Sequence, residues 1–343
     1  MSEATTVETT PENAEVGAAG PAITDVIVIG GGPVGMFAAF YSAMRNLDVT
    51  LVDSLPELGG QVAALYPEKP IHDIAGFVSG TGAELVANLK RQIDTFPERI
   101  TVHTNEEVRG LEQLSDGTFT LTTSAREIHT RSVIVAIGSG AFTPRPLAID
   151  YDREQLDGRK VFYFVKRLAD FKGKTVAVAG GGDAAIDWAL ELEQIAEKVV
   201  LIHRRDNFRA LESSVTRLKE STVAILTPYK FTTVAGTPDG LHIELAKIKS
   251  DETLDLDVDA LLVNYGFTSD NHVLRDWGLP VKRGDLQVNE YLETDVPGIY
   301  GVGDAVNYPG KVKLISAGFG EVPRAVNHLA EQLYPDRKQP LHS

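Results

Sequence analysis

A chain of 343 residues, 43% hydrophobic and 24% charged, has the composition of an ordinary globular protein of about two domains. Its net charge of −15 and pI near 5.0 disfavour nucleic acid and anionic membranes, which select basic surfaces. With no cysteine it excludes disulfides, thiolate metal sites, iron–sulfur ligation and thiol redox chemistry, so any redox work needs a bound cofactor or a partner.

Residues 1–21 are polar, acidic and rich in small side chains, without the basic and apolar regions of a signal peptide. They predict a disordered tail. No run approaches the ~20 apolar residues of a membrane span. The expectation is a cytoplasmic chain with neither a membrane nor a nucleic-acid partner.

Ordered sequence begins at Ile23. Thr24–Ile29 reads as a buried strand, Gly30-Gly31-Gly32-Pro33-Val34-Gly35 as a tight turn, Met36–Arg45 as a helix and Val49–Val52 as a second strand. Gly30, Gly32 and Gly35 fit G-x-G-x-x-G. The first glycine permits the turn, the second lets the backbone approach a pyrophosphate, and the third lets the helix sit close to the strand. Asp53 follows the second strand, where a carboxylate accepts hydrogen bonds from ribose hydroxyls. Strands are then expected at 119–122, 127–132 and 133–137.

The pattern recurs about 150 residues on, with Lys174–Ala179 as strand, a glycine turn, Ile186–Ala196 as helix and Lys198–Ile202 as strand. Gly180, Gly182 and Ala185, with Asp183 between, fit the variant ending in alanine. The following strand ends in His203-Arg204-Arg205, with Arg209 beyond. Guanidinium groups attract a 2′-phosphate that a carboxylate would repel, so this turn predicts NADP(H) rather than NAD(H). Two such units predict an α/β fold with two dinucleotide sites. Near the end, Ala260–Val263 reads as strand and 319–333 as helix. The 8 histidines show no metal-ligand spacing, and no nucleophile-elbow motif occurs, so no metal is expected.

The runs GGGDAAIDWAL, IHRRDNFRA and TDVPGIYGVGDA resemble thioredoxin reductases. Those enzymes carry a C-x-x-C pair ahead of the second glycine turn, where this chain has Gly158–Lys166 without a thiol. The chain is more similar to the cysteine-free branch, ferredoxin–NADP+ reductase of the thioredoxin-reductase-like type. The motifs that carry this are Leu58-Gly59-Gly60-Gln61, Ala64-Leu65-Tyr66-Pro67-Glu68-Lys69, Ile137–Phe142, Val263–Phe267 and the closing Gln339-Pro340-Leu341-His342-Ser343.

The resemblance implies two Rossmann-like domains of the FAD/NAD(P)-binding three-layer ββα kind, with the NADP domain inserted in the FAD domain. The FAD domain would comprise 22–145 and 275–343, and the NADP domain 146–274. It implies FAD contacts at Asp53, Gln61, Tyr66, Phe142 and, through its backbone, Val108. Asp304 would hold the ribityl chain, or cap a helix. Tyr66 would stack on one face of the flavin ring. His342, with Ser343, would lie near the other face, on a C-terminal extension reaching a partner subunit of a homodimer.

The implied activity is electron transfer between NADP(H) and ferredoxin or flavodoxin. A flavin reductase acting on flavodoxin, a quinone or a protein disulfide, and a flavin-bound sensor without turnover, are the alternatives. Lys166, Arg167, Lys172, Lys174, Lys311 and Lys313 are candidate docking cations for an acidic carrier.

Overall fold

The computed structural model describes residues 23–77 and 80–337, with backbone alone at 141–143, 269 and 270. Its framework is two five-stranded parallel sheets. The first runs Ile299–Gly301, Val133–Val135, Val26–Ile29, Val49–Val52, Ile100–His103. Val26–Ile29 is buried throughout because both faces are covered, which is why it reads as an unbroken apolar run. Helices Pro33–Met44, Gly82–Ile93 and Ile315–Leu333 contribute to that core, where Phe37 meets Phe319 edge-on at 5.3 Å.

The second sheet runs Val161–Phe162, Ala260–Val263, Thr175–Ala179, Lys198–Ile202, Ala224–Leu226. Its faces separate by residue parity, as pleating requires. Val176, Val178, Val199 and Leu201 join a core with the helix Asp183–Glu193. Ala177, Ala179, Val200 and Ile202 join another with the antiparallel strands Tyr229–Gly236, Leu241–Lys247 and Thr253–Val258. The result is the expected three-layer ββα arrangement.

The chain leaves the first sheet through Ala141–Pro144 and returns through Phe267–Asp270. These two segments pair antiparallel, from Ala141↔Asp270 to Pro144↔Phe267. A second seam tie comes from the loop after Tyr66. Glu68 accepts from the Leu168 backbone N–H at 2.5 Å, and Lys69 pairs with Asp187 at 2.6 Å.

Two elements depart from expectation. Both glycine-turn helices start three residues early, at Pro33 and Asp183, because Gly32 and Gly182 are already their N-caps. Asp304 caps no long helix. It sits in the short 3-10 turn Gly303–Ala305, and the final helix begins only at Ile315.

Candidate functional site

Helix starts leave backbone N–H groups without intrahelical partners. The helix Gly82–Ile93 covers its own: Thr81 Oγ1 accepts from Glu84 N at 3.2 Å and Glu84 Oε2 accepts from Thr81 N at 2.9 Å. The helices at the two glycine turns have no side-chain cap. Their first-turn N–H groups therefore favour an outside anion, with the helix dipole in support.

The glycines divide into two kinds. At Gly35 an added Cβ would lie 1.8 Å from the Gly30 carbonyl oxygen, so strand and helix could not close. Gly30 has φ +105° and its Cβ would meet Ala136 O at 2.5 Å. At Gly32, by contrast, the nearest atom would be Gly60 Cα at 4.0 Å. Protein packing therefore does not demand glycine at 32, and the space there is left for something else. The second turn repeats this. A Cβ at Gly180 would meet Asn264 O at 2.6 Å, whereas at Gly182 only Arg209 O approaches, at 3.6 Å.

The first turn opens on a cavity of about 700 Å³, within the range of roughly 300–1,000 Å³ typical of small-molecule sites. It gathers Gly30, Gly32, Pro33, Asp53, Gln61, Tyr66, Val108 and Asp304 on its walls. Gly35 lies behind the turn rather than on the wall. Phe142 falls in the Ala141–Pro144 strand, its side chain outside the described part, and His342 and Ser343 lie outside the described residues.

Asp53 is buried, and each carboxylate oxygen already serves the backbone. Oδ2 accepts from Gly31 N and Oδ1 from Leu55 N at 2.7 Å. A carboxylate has about four acceptor positions, so capacity remains for ribose hydroxyls. Burial pushes its carboxyl above the ordinary value despite those two bonds. Gly31 is part of this device, since a Cβ there would lie 2.4 Å from Leu58 Cδ2 and 2.9 Å from Asp53 Oδ2. The middle glycine of the GGG run was the signal for it.

Also lining the cavity, Tyr66 packs against both the first core and the helical core of the second sheet. Burial, then the negative charges of Asp304 and Asp73, pushes its phenol up to about 12, so it stays neutral. Asp304 stands over a buried hub that sequence patterning did not reveal. Glu321 accepts from Gly303 N at 2.7 Å, from the Tyr308 hydroxyl at 2.7 Å and from Lys311 Nζ. The Glu321 and Lys311 side chains are both only 2% exposed. Lys311 is thus no docking cation, and Lys313 pairs with Asp285 at 3.0 Å.

Burial raises the Asp304 carboxyl; Lys311 and Lys313 pull it down, and Glu321 and Asp285 push it up again. A carboxyl raised in the folded state contributes stability below its unfolded pKa and loses it as pH rises through the folded one. Asp304→Asn should therefore melt higher than the unsubstituted chain when both are flavin-free at neutral pH. The gap should close as pH falls into the carboxylate range. Melting curves across pH check this, and a gap independent of pH would count against it.

In the second cradle, the loop after Ile202 folds over the glycines. Arg209 N donates to Gly181 O at 2.7 Å, and Leu211 N to Asp183 Oδ1 at 2.8 Å. The His203 ring stacks on Phe208 at 5.5 Å and fills the space where a Gly181 Cβ would be. Burial holds its imidazole below the ordinary value. The Asn207 backbone opposes that shift, and Arg204, Arg205 and Arg209 reinforce it. The positive charge here therefore belongs to the three arginines, all exposed. None of the ion pairs among the described residues engages them. Ala185 is fully buried behind the turn, as Gly35 is behind the first.

The half-buried His242 with Glu244 and Asp255 could together reach one ion, but His242 already pairs with Asp257 at 2.8 Å.

Two parallel sheets, each with a side-chain-free helix start at a glycine turn, define a protein of two dinucleotide-type α/β units. A family profile described as pyridine nucleotide-disulphide oxidoreductase matches residues 24–328. Ferredoxin–NADP reductase 2 of Latilactobacillus sakei is 53% identical over 319 residues, covering 93% of this chain and 96% of that one. Ferredoxin–NADP reductase of Lacticaseibacillus paracasei is 51% identical over 322 residues, covering 94% and 97%. The chain therefore belongs to the pyridine nucleotide-disulphide oxidoreductase family, in its ferredoxin–NADP reductase branch. The thioredoxin reductase of Lactococcus lactis shares the fold, with a TM-score of 0.77 at 24% identity, covering 91% of this chain and 99% of that one. Among the described residues, no helix is long and apolar enough to cross a membrane.

Proposed function

We propose that the chain is an NADPH-dependent reductase that holds FAD in the first cradle and NADP(H) in the second, and moves electrons between NADP(H) and ferredoxin. The observation that carries this is the contrast between the two cradles. Each leaves its helix N-terminus open, but a buried carboxylate closes the first and exposed arginines the second. The names of the relatives support the same reading.

Bound FAD supplies the electron chemistry that a chain without cysteine lacks in its own side chains. The residues bind and orient. The Gly30–Gly35 turn takes the pyrophosphate, Asp53 the ribose, and Gln61 and the Val108 backbone further flavin-nucleotide contacts. Asp304 holds the ribityl chain and Tyr66 covers one ring face. His342 and Ser343 serve the other face from the partner subunit of a cytoplasmic homodimer, by the family resemblance. Phe142 completes the FAD set, while Gly180, Gly182, Asp183 and Ala185 shape the NADP turn. We assign 22–145 and 275–343 to the FAD domain and 146–274 to the inserted NADP domain, with the paired linkers as hinge.

The arginines give the direct test. A charged hydrogen bond contributes about 1.5–3 kcal/mol, or roughly tenfold or more in affinity. Arg204→Ala with Arg205→Ala should raise KM for NADPH by about tenfold or more and leave KM for NADH within about twofold. Steady-state kinetics with both cofactors measures this. Equal losses for the two would remove the 2′-phosphate assignment. Anaerobic NADPH should also bleach the yellow protein; lasting colour would contradict a reductase.

A further inference from the structure

The family names an acceptor but not the surface it uses. We infer that the segment 166–174 is the docking face for an acidic one-electron carrier, an inference that rests on the functional reading above.

The segment contains four cations, Lys166, Arg167, Lys172 and Lys174, and one carboxylate, Asp170. Asp170 is engaged with Arg167 at 2.7 Å. Lys166, Arg167 and Lys172 are exposed. Among the described residues, no ion pair involves Lys166, Lys172 or Lys174. On a chain of net charge −15, an acidic partner is repelled at long range and needs a local positive surface to seat.

This surface is firmly based. The short turn Leu168–Phe171 buries Phe171, whose ring meets Phe162 edge-on at 5.2 Å. Gly173 N donates to Ile195 O at 2.9 Å. The backbone that carries these cations is therefore anchored, so docking need not order the segment itself.

Its position gives it a purpose. Leu168 N donates to Glu68, two residues after Tyr66, and Tyr66 packs against the same core as Leu168 and Phe162. Tyr66 also lines the flavin cavity. A carrier seated on these lysines stands beside the cavity wall, at the seam between the two sheets. Lys311 and Lys313 offer no rival patch, since both are paired.

The test uses the full flavin-loaded chain with NADPH as donor. Lys166→Glu with Lys172→Glu should raise KM for an acidic ferredoxin by about tenfold at low ionic strength, because rim charges act mainly on encounter. Turnover of an uncharged quinone should be unchanged, and the ferredoxin defect should shrink as salt rises. Lys219→Glu with Lys230→Glu, the same charge change elsewhere, should leave ferredoxin kinetics alone. Unchanged ferredoxin kinetics in the first variant would overturn the assignment, as would equal defects in both variants or an equal loss with the quinone. Should the unsubstituted chain reduce the quinone but not ferredoxin, the functional reading itself falls.

Discussion

Gly35→Ala should not accumulate as a folded flavoprotein, whereas Gly32→Ala should fold normally and purify without colour. The two substitutions add the same methyl group three residues apart. At Gly35 it would stand 1.8 Å from the Gly30 carbonyl oxygen, with Ala136 Cβ at 3.3 Å behind it. Strand Val26–Ile29 is central in its sheet and helix Pro33–Met44 packs on two other helices, so neither can retreat without opening the core. A backbone displacement there costs more than the ~1–3 kcal/mol of ordinary overpacking. At Gly32 nothing of the protein lies closer than 4.0 Å. The methyl group there occupies only the approach to the helix N-terminus. The expected result is a melting temperature close to that of the flavin-free parent and a flavin affinity lower by at least about a hundredfold, if one phosphate contact and its dipole support are lost. Soluble yield, thermal melts and flavin absorbance distinguish the two. A yellow Gly32→Ala protein would show that this turn does not hold the pyrophosphate.

Lys311→Met should be strongly destabilising. Lys311 and Glu321 form an ion pair whose side chains are both 2% exposed. Removing one member of such a pair leaves an uncompensated buried charge, at about 3–5 kcal/mol. For domains of this size that is a fall in melting temperature on the order of 10 °C. The double substitution Lys311→Met with Glu321→Gln should recover part of the loss, because the orphaned charge is gone while the amide oxygen still accepts from Gly303 N and the amide N–H can donate to the Tyr308 hydroxyl oxygen. Flavin affinity should fall in the single variant as well, since Glu321 anchors Gly303, the neighbour of Asp304. A melt unchanged by Lys311→Met would mean the pair is solvated in solution. Added salt should not reproduce the effect, because a buried pair is poorly screened.

Much of this arrangement is legible in the sequence. The glycine turns are short-range devices: their spacing, a strand before and a helix after suffice to place them, and the acid or the arginines follow at a fixed distance. Two further short-range signals stand in the sequence. Thr81-Gly82-Ala83-Glu84 is a capping box that announces the helix Gly82–Ile93. The alternation Leu241, Ile243, Leu245 in LHIELAK announces a strand with one buried face.

The hub around Glu321 was of another kind. Lys311, in Lys-Val-Lys, carries every mark of a solvated lysine, and only the return of the final helix brings a carboxylate beside it. Its neighbour Val312 is 56% exposed while the Lys311 side chain is 2% exposed, a reversal that local patterning cannot anticipate. Asp304 lines the cavity, but the residues between it and Ile315 form no helix, so no periodicity marks its surroundings.

The antiparallel pairing of the two linkers has an architectural corollary. Since Pro144 and Phe267 are direct cross-strand partners, the cut ends left by excising everything between them lie side by side. A two-residue turn of the Asn-Gly kind is the connection such neighbours accept. All five strands of the second sheet lie between these two partners, so one hairpin position bounds them.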